Sequence, residues 1–317
     1  FLSKHYGRTL ELFSDIVFHS VFPEKELKKE QEVIIDEINS YKDTPSEQIF
    51  DDFDGLLFPD HPLGKNILGT KKLVKSYNKK KVKEFIAQNY ATDKMVISSV
   101  GPIDFNKLVK LFEKYFGEEP ENSSNNPREK VNGYLPTEQI KKRRIFQAHC
   151  MIGNRAYGMR DDKRVAFSLL NNYLGGPGLN SRLNLSIREK YGFTYNLESN
   201  YVPYSDIGNF SIYMGTDKNY LDRSIELIHK ELKLLRDKKL GPMQLKKAKQ
   251  QFVGQIAISE ESNAVKMHNN GRSFLSYGRI STIEEVHLKI QKVSAEDILE
   301  VANEIFDQEQ MSMLVFK

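Results

Sequence analysis

One long polar stretch, Gly117 to Gln139, most constrains what this chain can fold into. It has the sequence GEEPENSSNNPREKVNGYLPTEQ, with few apolar residues and no helical or alternating pattern. Such a sequence cannot bury enough surface to offset its loss of conformational entropy, so it is typical of a linker. We therefore predict two domains, residues 1–116 and 140–317, joined by a linker at 117–139.

The order of helical and strand patterns on either side of this linker predicts an α+β fold. Helical periodicity dominates the first domain, where one β-branched run, DKMVISSVGP, predicts a buried strand. In the second domain, RRIFQAHCMIG, FTYNLESNYVPYSDIGNFSIYMGT and MSMLVF predict strands that are separated by runs of helix. Strands followed by several helices, without regular alternation, favour helices layered on a sheet over a doubly wound sheet.

Apolar runs, cysteine content and charge exclude several classes of protein. No run approaches the ~20 apolar residues needed to cross a bilayer. The single cysteine excludes an intrachain disulfide framework and a cysteine-held metal cluster, and it fits a cytoplasmic location. Lys+Arg total 47 against 43 Asp+Glu, a net charge of only +4, so we expect neither a nucleic-acid nor a membrane partner. The basic runs NKKKVKEF and IKKRRIF are accordingly interpreted as solvated faces.

The segment LKKEQEVIIDEINSY carries the most informative acidic residues. At ~100° per residue, Leu27, Ile34 and Ile38 share one apolar stripe, and Glu30 and Glu37, one heptad apart, fall on its edge. We therefore expect both carboxylates to face inward, where an ionised carboxylate is costly unless it is paired or binds a metal. Either they pair with lysines at the rim of the stripe, or one is a metal ligand and the other a supporting acid.

A resemblance to a known family gives these glutamates a role. KEQEVIIDEI, followed by HPLGKNILGT (His61 to Thr70) and VGPID (Val100 to Asp104), resembles the catalytic half of the pitrilysin/insulinase family of inverted-zincin metallopeptidases, which includes mitochondrial processing peptidase. In that family an H-x-x-E-H motif supplies two zinc ligands and the general base, and a glutamate on a later helix is the third ligand. The resemblance implies that Glu37 binds Zn²⁺ and that Glu30 is a catalytic supporting acid.

The second domain extends the resemblance. Residues 174–196, LGGPGLNSRLNLSIREKYGFTYN, are similar to the family's Gly-rich turn, helix and strand entry. In the family, an Arg and a Tyr of this element contact the substrate backbone. The resemblance therefore implies that Arg188 and Tyr195 bind a peptide substrate. Together a guanidinium and a phenol hydroxyl can hold a peptide carbonyl and stabilise an oxyanion. Without the resemblance, Arg188 would be a helix-end cation and Tyr195 an ordinary strand aromatic.

The family's H-x-x-E-H motif is absent from this sequence, because no two of its histidines are four residues apart. The seven histidines are His5, His19, His61, His149, His229, His268 and His287. The family places the motif ~75 residues before the third ligand, so we expect it upstream of Phe1 in a longer chain. Without it, this chain is expected to be inactive and not to retain zinc, because a catalytic site uses three protein ligands and a water.

The resemblance implies two similar domains, each a mixed sheet with helices on one face. It also implies a zinc-dependent metalloendopeptidase that cleaves peptides or partly unfolded segments within a closed chamber. Because the zinc ligand and the Arg/Tyr pair of one chain would serve different composite sites, it implies a head-to-tail homodimer. The alternative is a non-catalytic, peptidase-like partner subunit. A third possibility is a binding module of other ancestry, with Glu30 and Glu37 at the surface.

Two other groups of reactive residues are interpreted as structural. Cys150 adjoins His149 in a strand pattern, so the two side chains should point to opposite faces and not form a nucleophilic dyad. Asp51, Asp52 and Asp54 lack the spacing of a calcium loop, and we predict that they lie at an exposed helix end.

Overall fold

The computed structural model describes residues 1–125, 127–131 and 133–317, so that Asn126 and Asn132 of the predicted linker lie outside the described residues. Its contacts group the chain into two compact units. The first unit comprises Phe1–Asp36, Thr70–Arg128 and Ala257–Ser281, and the second comprises Glu37–Gly69, Glu129–Ile256 and Thr282–Lys317. The predicted domain division at 1–116, 117–139 and 140–317 stays a prediction, because units defined by contacts need not coincide with domains defined by common ancestry.

Helices dominate the first unit and separate the strands of the second, as the periodicity of the sequence predicts. They are α1 (Tyr6–Phe18), α2 (Glu24–Lys42), α3 (Pro45–Leu57), α4 (Lys71–Ser76), α5 (Lys79–Asn89), α6 (Phe105–Phe116), α7 (Arg164–Gly175), α8 (Leu221–Asp237), α9 (Pro242–Ser259), α10 (Asn263–Tyr277), α11 (Ile283–Lys292) and α12 (Ala295–Ile305). Side chains at their ends satisfy orphan backbone N–H groups, as in the capping box of Ser294 and Asp297 at α12. Within the described residues, no helix is both long and apolar enough to span a bilayer.

The predicted strand DKMVISSVGP in the first unit is wrong. Residues 95–100 have no regular secondary structure. Side-chain hydroxyls hold them instead: Ser99 Oγ lies 3.1 Å from Tyr6 Oη of α1, and Ser98 Oγ donates to the Met267 carbonyl of α10 over 2.9 Å. A strand requires a neighbouring strand for its backbone groups, and every strand in the described part of the chain belongs to the second unit.

The second unit is built on a five-stranded mixed sheet, which confirms the α+β fold. Its strands are β1 (Glu138–Lys141), β2 (Ala148–Ala156), β3 (Thr194–Pro203), β4 (Gly208–Thr216) and β5 (Ser312–Phe316). The order across the sheet is β1-β5-β2-β4-β3. β1 runs parallel to β5, and the other neighbours are antiparallel. β1 begins inside the stretch that the sequence assigns to the linker.

The central strand β2 is buried on both faces. Cys150 and Ile152 belong to the larger apolar cluster, to which α7, α8 and α12 contribute, whereas Met151 belongs to a second cluster on the opposite face. There α3 supplies Ile49 and Phe53, both fully buried. Alternate side chains of a strand point to opposite faces, so one strand serves both cores. The resemblance implied helices on one face, and α3 covers part of the other face as well.

We expect Phe167→Ala to destabilise the second unit by about 3–5 kcal/mol, because it deletes a fully buried ring from a tightly packed core. Phe167 of α7 makes edge-to-face contacts with the rings of Tyr201 and Phe210, at centroid distances of 4.7 and 5.4 Å. Urea denaturation followed by circular dichroism measures the free energy of unfolding. Phe146→Ala is the matched control, because Phe146 is fully exposed and should change that free energy by less than about 0.5 kcal/mol. Equal effects of the two substitutions would contradict this core assignment.

Candidate functional site

α2 exposes both predicted acidic site residues. Glu30 and Glu37 lie on one continuous helix, and both side chains are exposed, so the prediction that they face inward is wrong. The covered side of α2 includes Leu27 and Ile38 but also Ile35, which widens the apolar stripe on the side away from the glutamates. Adjacent apolar residues in the sequence allow two rotations of the stripe, and packing selects the one that leaves the carboxylates in water.

Neither glutamate is neutralised by a lysine. Within the described residues, α2 forms one ion pair, between Lys29 Nζ and Glu26 Oε2 at 3.0 Å. The positions three and four residues from Glu30 and from Glu37 hold no lysine, so the usual helical pairing is not possible for them. Val33, on the same side of α2 as the two glutamates, is 49% exposed. The lysine-pairing alternative is therefore not what the structure shows, and both carboxylates are accessible.

The described residues do not by themselves fit a zinc centre. A catalytic zinc needs three protein ligands, and the part of the chain that the structure describes brings together no group of three His, Cys, Asp or Glu side chains suited to a metal. His61 is occupied in another way: its Nδ1 accepts from the Leu63 N–H, and its Nε2 donates to the Glu129 carbonyl. That buried histidine closes the turn of the HPLG motif.

Arg188 and Tyr195 lie on either side of one short turn. Arg188 is in a π-helical segment, Asn184–Glu189, that packs against β3, and Tyr195 is the second residue of β3. Gly192 lies between them with a φ of 66°, and its N–H donates to the Arg188 carbonyl over 2.8 Å. Glycine adopts this left-handed conformation without strain, so it can end the helix and start the strand within a few residues. π-helical segments are frequent at functional sites.

A β-bulge presents Tyr195 to solvent. The pairing of β3 with β4 shifts between Thr194 and Asn196, which leaves Tyr195 as the extra residue. The buried Thr194 hydroxyl holds the bulge: it donates to the Gly215 carbonyl and accepts from the Asn196 N–H. A bulge changes the direction of a side chain, and Tyr195 is 81% exposed as a result. Its phenol group can therefore reach a ligand.

Stacked aromatic rings stabilise the same turn. The ring of Phe193 stacks on Tyr191 at 5.1 Å and on Tyr220 at 4.6 Å, with interplanar angles of 18° and 11°. Offset stacking contributes about 0.5–1.5 kcal/mol per pair beyond the buried area. The Arg188 side chain is 30% exposed, and its Nε lies 3.6 Å from Glu189 Oε1. An ion pair between such exposed neighbours is weak, so the guanidinium can still bind another acceptor.

The turn that carries Arg188 and Tyr195 lies within residues 76–252, which match the family model described as the peptidase M16 inactive domain. That match covers more than half of the chain. The chain belongs to the peptidase M16 family. This confirms the resemblance to zinc metallopeptidases that the sequence motifs indicate.

Named relatives agree with this M16 assignment. The chain is 31% identical over 315 residues to an uncharacterized zinc protease, YmxG, of Bacillus subtilis, covering 99% of this chain and 76% of that protein. It is 27% identical over 332 residues to the mitochondrial-processing peptidase subunit beta of Saccharomyces cerevisiae, covering 99% of this chain and 71% of that subunit. This M16 chain is thus similar to a bacterial protein named as a zinc protease and to a subunit of a mitochondrial peptidase.

Solved structures show the same fold. A protease from Helicobacter pylori superimposes with a TM-score of 0.88 at 18% identity, covering 99% of this chain and 77% of that one. A peptidase M16 inactive domain from Pseudomonas fluorescens superimposes with a TM-score of 0.88 at 20% identity, covering 99% and 75%. At these identities the comparison establishes the fold alone.

Cys150 and His149 point to opposite faces of β2 and form no dyad, which agrees with the prediction from the strand pattern. Cys150 lies in the larger apolar cluster, and burial raises the pKa of its thiol to about 12. His149 is on the opposite face, where its Nδ1 lies 2.8 Å from Tyr213 Oη. Burial lowers the pKa of His149 and raises that of Tyr213 to about 12, so both groups are neutral near pH 7.

The three aspartates of α3 are not at an exposed helix end, so that prediction is wrong. All three are half-buried within the second unit. Asp52 Oδ2 lies 2.7 Å from Lys141 Nζ, and Asp54 Oδ1 accepts from the Asn209 amide of β4. The spacing of Asp54 from the buried Phe53 and Leu57 could have indicated this, because all three lie within one helical turn.

Asp54 has the most perturbed carboxyl group of this cluster. The pKa of Asp54 is raised from 3.8 to about 7: burial is the largest cause, the nearby Asp51 carboxylate also raises it, and the Asn209 hydrogen bond lowers it. Asn209 Oδ1 is buried without a hydrogen-bond partner among the described residues. The protonated carboxyl is therefore the form that this site favours, and the ionised form is destabilising.

We expect Asp54→Asn to stabilise the protein above about pH 7. A raised folded-state pKa contributes stability that is fully present below pH 3.8 and is lost as the pH rises through about 7. The asparagine cannot ionise, so the variant should gain of order 1–4 kcal/mol relative to the native chain at about pH 8 and little at about pH 4. Urea denaturation at both pH values measures the difference. Asp162→Asn, at an exposed aspartate, is the control; a pH-independent difference for Asp54→Asn would contradict the assignment.

Proposed function

We propose that this chain is a peptide-binding part of a zinc-dependent M16 metalloendopeptidase, and that Arg188 and Tyr195 hold the substrate backbone. The observation that carries the proposal is the β-bulge, which directs the Tyr195 phenol into solvent beside the segment that bears Arg188. Family membership supports a role in proteolysis, since the relatives include a protein named as a zinc protease and a subunit of a processing peptidase.

The chemistry of the two side chains suits an extended peptide. The phenol O–H and the guanidinium N–H groups are donors, so both can bind a peptide carbonyl oxygen and would bind it more strongly as it gains negative charge. β3 is an edge strand of the sheet, so its outer backbone groups can pair with an extended segment. A partly unfolded protein segment supplies both features, a carbonyl at the site and a backbone alongside it.

Glu37 is the proposed zinc ligand, and Glu30 the proposed supporting acid. Their exposure leaves both carboxylates accessible, but Glu37 alone is one ligand of the three that a catalytic zinc requires. No hydrolytic step is assigned to the described residues. What they contribute is substrate binding by the second unit.

A non-catalytic partner subunit is the second candidate. One observation favours it: the matching family model is described as an inactive domain. In such a subunit Arg188 and Tyr195 would still bind peptide, and Glu37 would have no metal to bind. The homodimer and the cytoplasmic location stay predictions; sedimentation velocity of the protein measures the first.

We expect Arg188→Ala to weaken peptide binding by about 10- to 100-fold, because it removes a charge-assisted hydrogen bond worth about 1.5–3 kcal/mol. Tyr195→Phe should weaken binding by about three- to tenfold, because it removes only a neutral hydroxyl. Fluorescein-labelled β-casein, an unfolded polypeptide, is the probe, and fluorescence anisotropy gives the Kd.

Arg160→Ala and Tyr90→Phe are the matched controls, because both side chains are exposed and lie outside the proposed site. They should bind the labelled casein with the native Kd. If either control loses as much affinity as its counterpart, or if Arg188→Ala binds casein normally, the proposed substrate site is wrong.

Zinc content separates the two candidate functions. The peptidase needs two zinc ligands besides Glu37, which the described residues do not supply. If the native protein has them, it should carry zinc when isolated from its native source, and its Glu37→Gln variant expressed there should lose the metal, because a three-ligand site fails without one ligand. Glu32→Gln, at an exposed glutamate on the other side of α2, should keep the metal. Elemental analysis measures zinc per chain. A native protein without zinc, or a Glu37→Gln variant with unchanged zinc, would refute the ligand assignment and favour the partner subunit.

A further inference from the structure

The small net charge of the chain hides a strong local concentration of positive charge. Residues 71–83, here called the lysine segment, contain seven lysines and no acidic residue. The whole chain has 47 basic and 43 acidic residues, so 40 basic and 43 acidic residues lie outside the segment. The rest of the chain is therefore slightly negative. A net charge near zero says little about a partner when the charge is distributed in this way.

The lysine segment lies at the surface of the first unit, on α4 and α5. Six of its seven lysines are exposed, and Lys79 is half-buried. Among the described residues, the segment forms one ion pair, between Lys80 and Glu84 at 3.8 Å. Lys81 Nζ donates to Ser76 Oγ, which leaves its charge in place. The segment thus presents a nearly uncompensated positive field to solvent.

Apolar side chains are exposed alongside the lysines. Leu73 is 52% exposed, Tyr77 52% and Phe85 58%, whereas Val82 and Ile86 of α5 are half-buried. Scattered exposed apolar residues are common and need no explanation. Here, however, three of them are interleaved with seven lysines over fifteen residues, a composition typical of segments that lie in the interface of a membrane.

We propose that the lysine segment docks the protein peripherally on an anionic lipid bilayer. Lysines near an acidic leaflet are attracted to its surface potential, and Leu73 and Phe85 can enter the boundary between headgroups and acyl chains. This differs from the expectation of no membrane partner, which rested on net charge alone. The attachment is by surface contact, and it does not depend on the peptidase assignment.

The composition of the segment favours lipid over nucleic acid. It contains no arginine, the residue whose planar fork binds phosphates and base edges in pairs of hydrogen bonds. Leu73 offers no ring on which a base could stack, although Tyr77 and Phe85 do. Lysine point charges with aliphatic and aromatic neighbours match a fluid headgroup layer better than a stack of bases.

Vesicle co-sedimentation of the full chain tests the proposal. The probes are vesicles of phosphatidylcholine and phosphatidylserine, in a ratio of roughly three to one, and vesicles of phosphatidylcholine alone. The chain should bind the first kind more tightly, and added salt should weaken that binding because it screens the surface potential. The segment variant carries four lysine-to-glutamine substitutions, at Lys72, Lys75, Lys80 and Lys83.

A matched variant controls for total charge. It carries four lysine-to-glutamine substitutions at exposed lysines of the second unit, at Lys218, Lys230, Lys247 and Lys289. Each lysine near an anionic surface contributes about fivefold to binding, so the segment variant should lose more than about a hundredfold and the control less than about twofold. Phe85→Ser should weaken binding to phosphatidylserine vesicles while keeping the salt dependence. Unchanged circular dichroism spectra check that all variants are folded.

Three results would overturn the proposal. The native chain could bind both kinds of vesicle equally, or the control variant could lose as much affinity as the segment variant. The full chain could also bind a single-stranded oligothymidylate more tightly than the acidic vesicles at the same salt concentration, as measured by anisotropy, and the segment variant could lose that binding. The last result would assign the lysine segment to nucleic acid instead.

Discussion

The burial of β2 on both faces is the constraint on which the second unit depends. Cys150 and Ile152 point into one core and Met151 points into the other, so a shift of one residue would exchange the two sets. This register determines which helices lie on each side of the sheet. It also separates Cys150 from His149 and places the unreactive thiol deep in the larger core.

The candidate substrate site is a consequence of how that sheet ends. β4 is buried along its whole length, and β3 pairs with it as the edge strand. The Thr194 hydroxyl holds the bulge against β4, and Gly192 lets the chain turn from the Arg188 segment into β3. A regular sheet with one bulged residue at its edge can thus present a single exposed side chain to a ligand.

Membership of the M16 family and the geometry of this chain give complementary information. The family relates the chain to proteins named as zinc proteases, and the geometry provides a surface suited to binding an extended peptide. The two glutamates of α2 are exposed and unpaired by lysine, which is compatible with either candidate function. The lysine segment adds a different kind of surface, since its charge is compensated by acidic residues elsewhere in the chain and not locally.

Local patterns in the sequence were enough to determine most helices, the strands β2 to β5 and the family, but not β1, because periodicity and short motifs are properties of neighbouring residues. They also indicated Arg188 and Tyr195, through a motif and not through chemistry. Tertiary structure alone decided which side of α2 is covered, that the pKa of Asp54 is raised to about 7, and that residues 95–100 form no strand. Each of these depends on what another part of the chain places nearby: a packing surface for the helix, β4 for the aspartate, and a neighbouring strand for the extended residues.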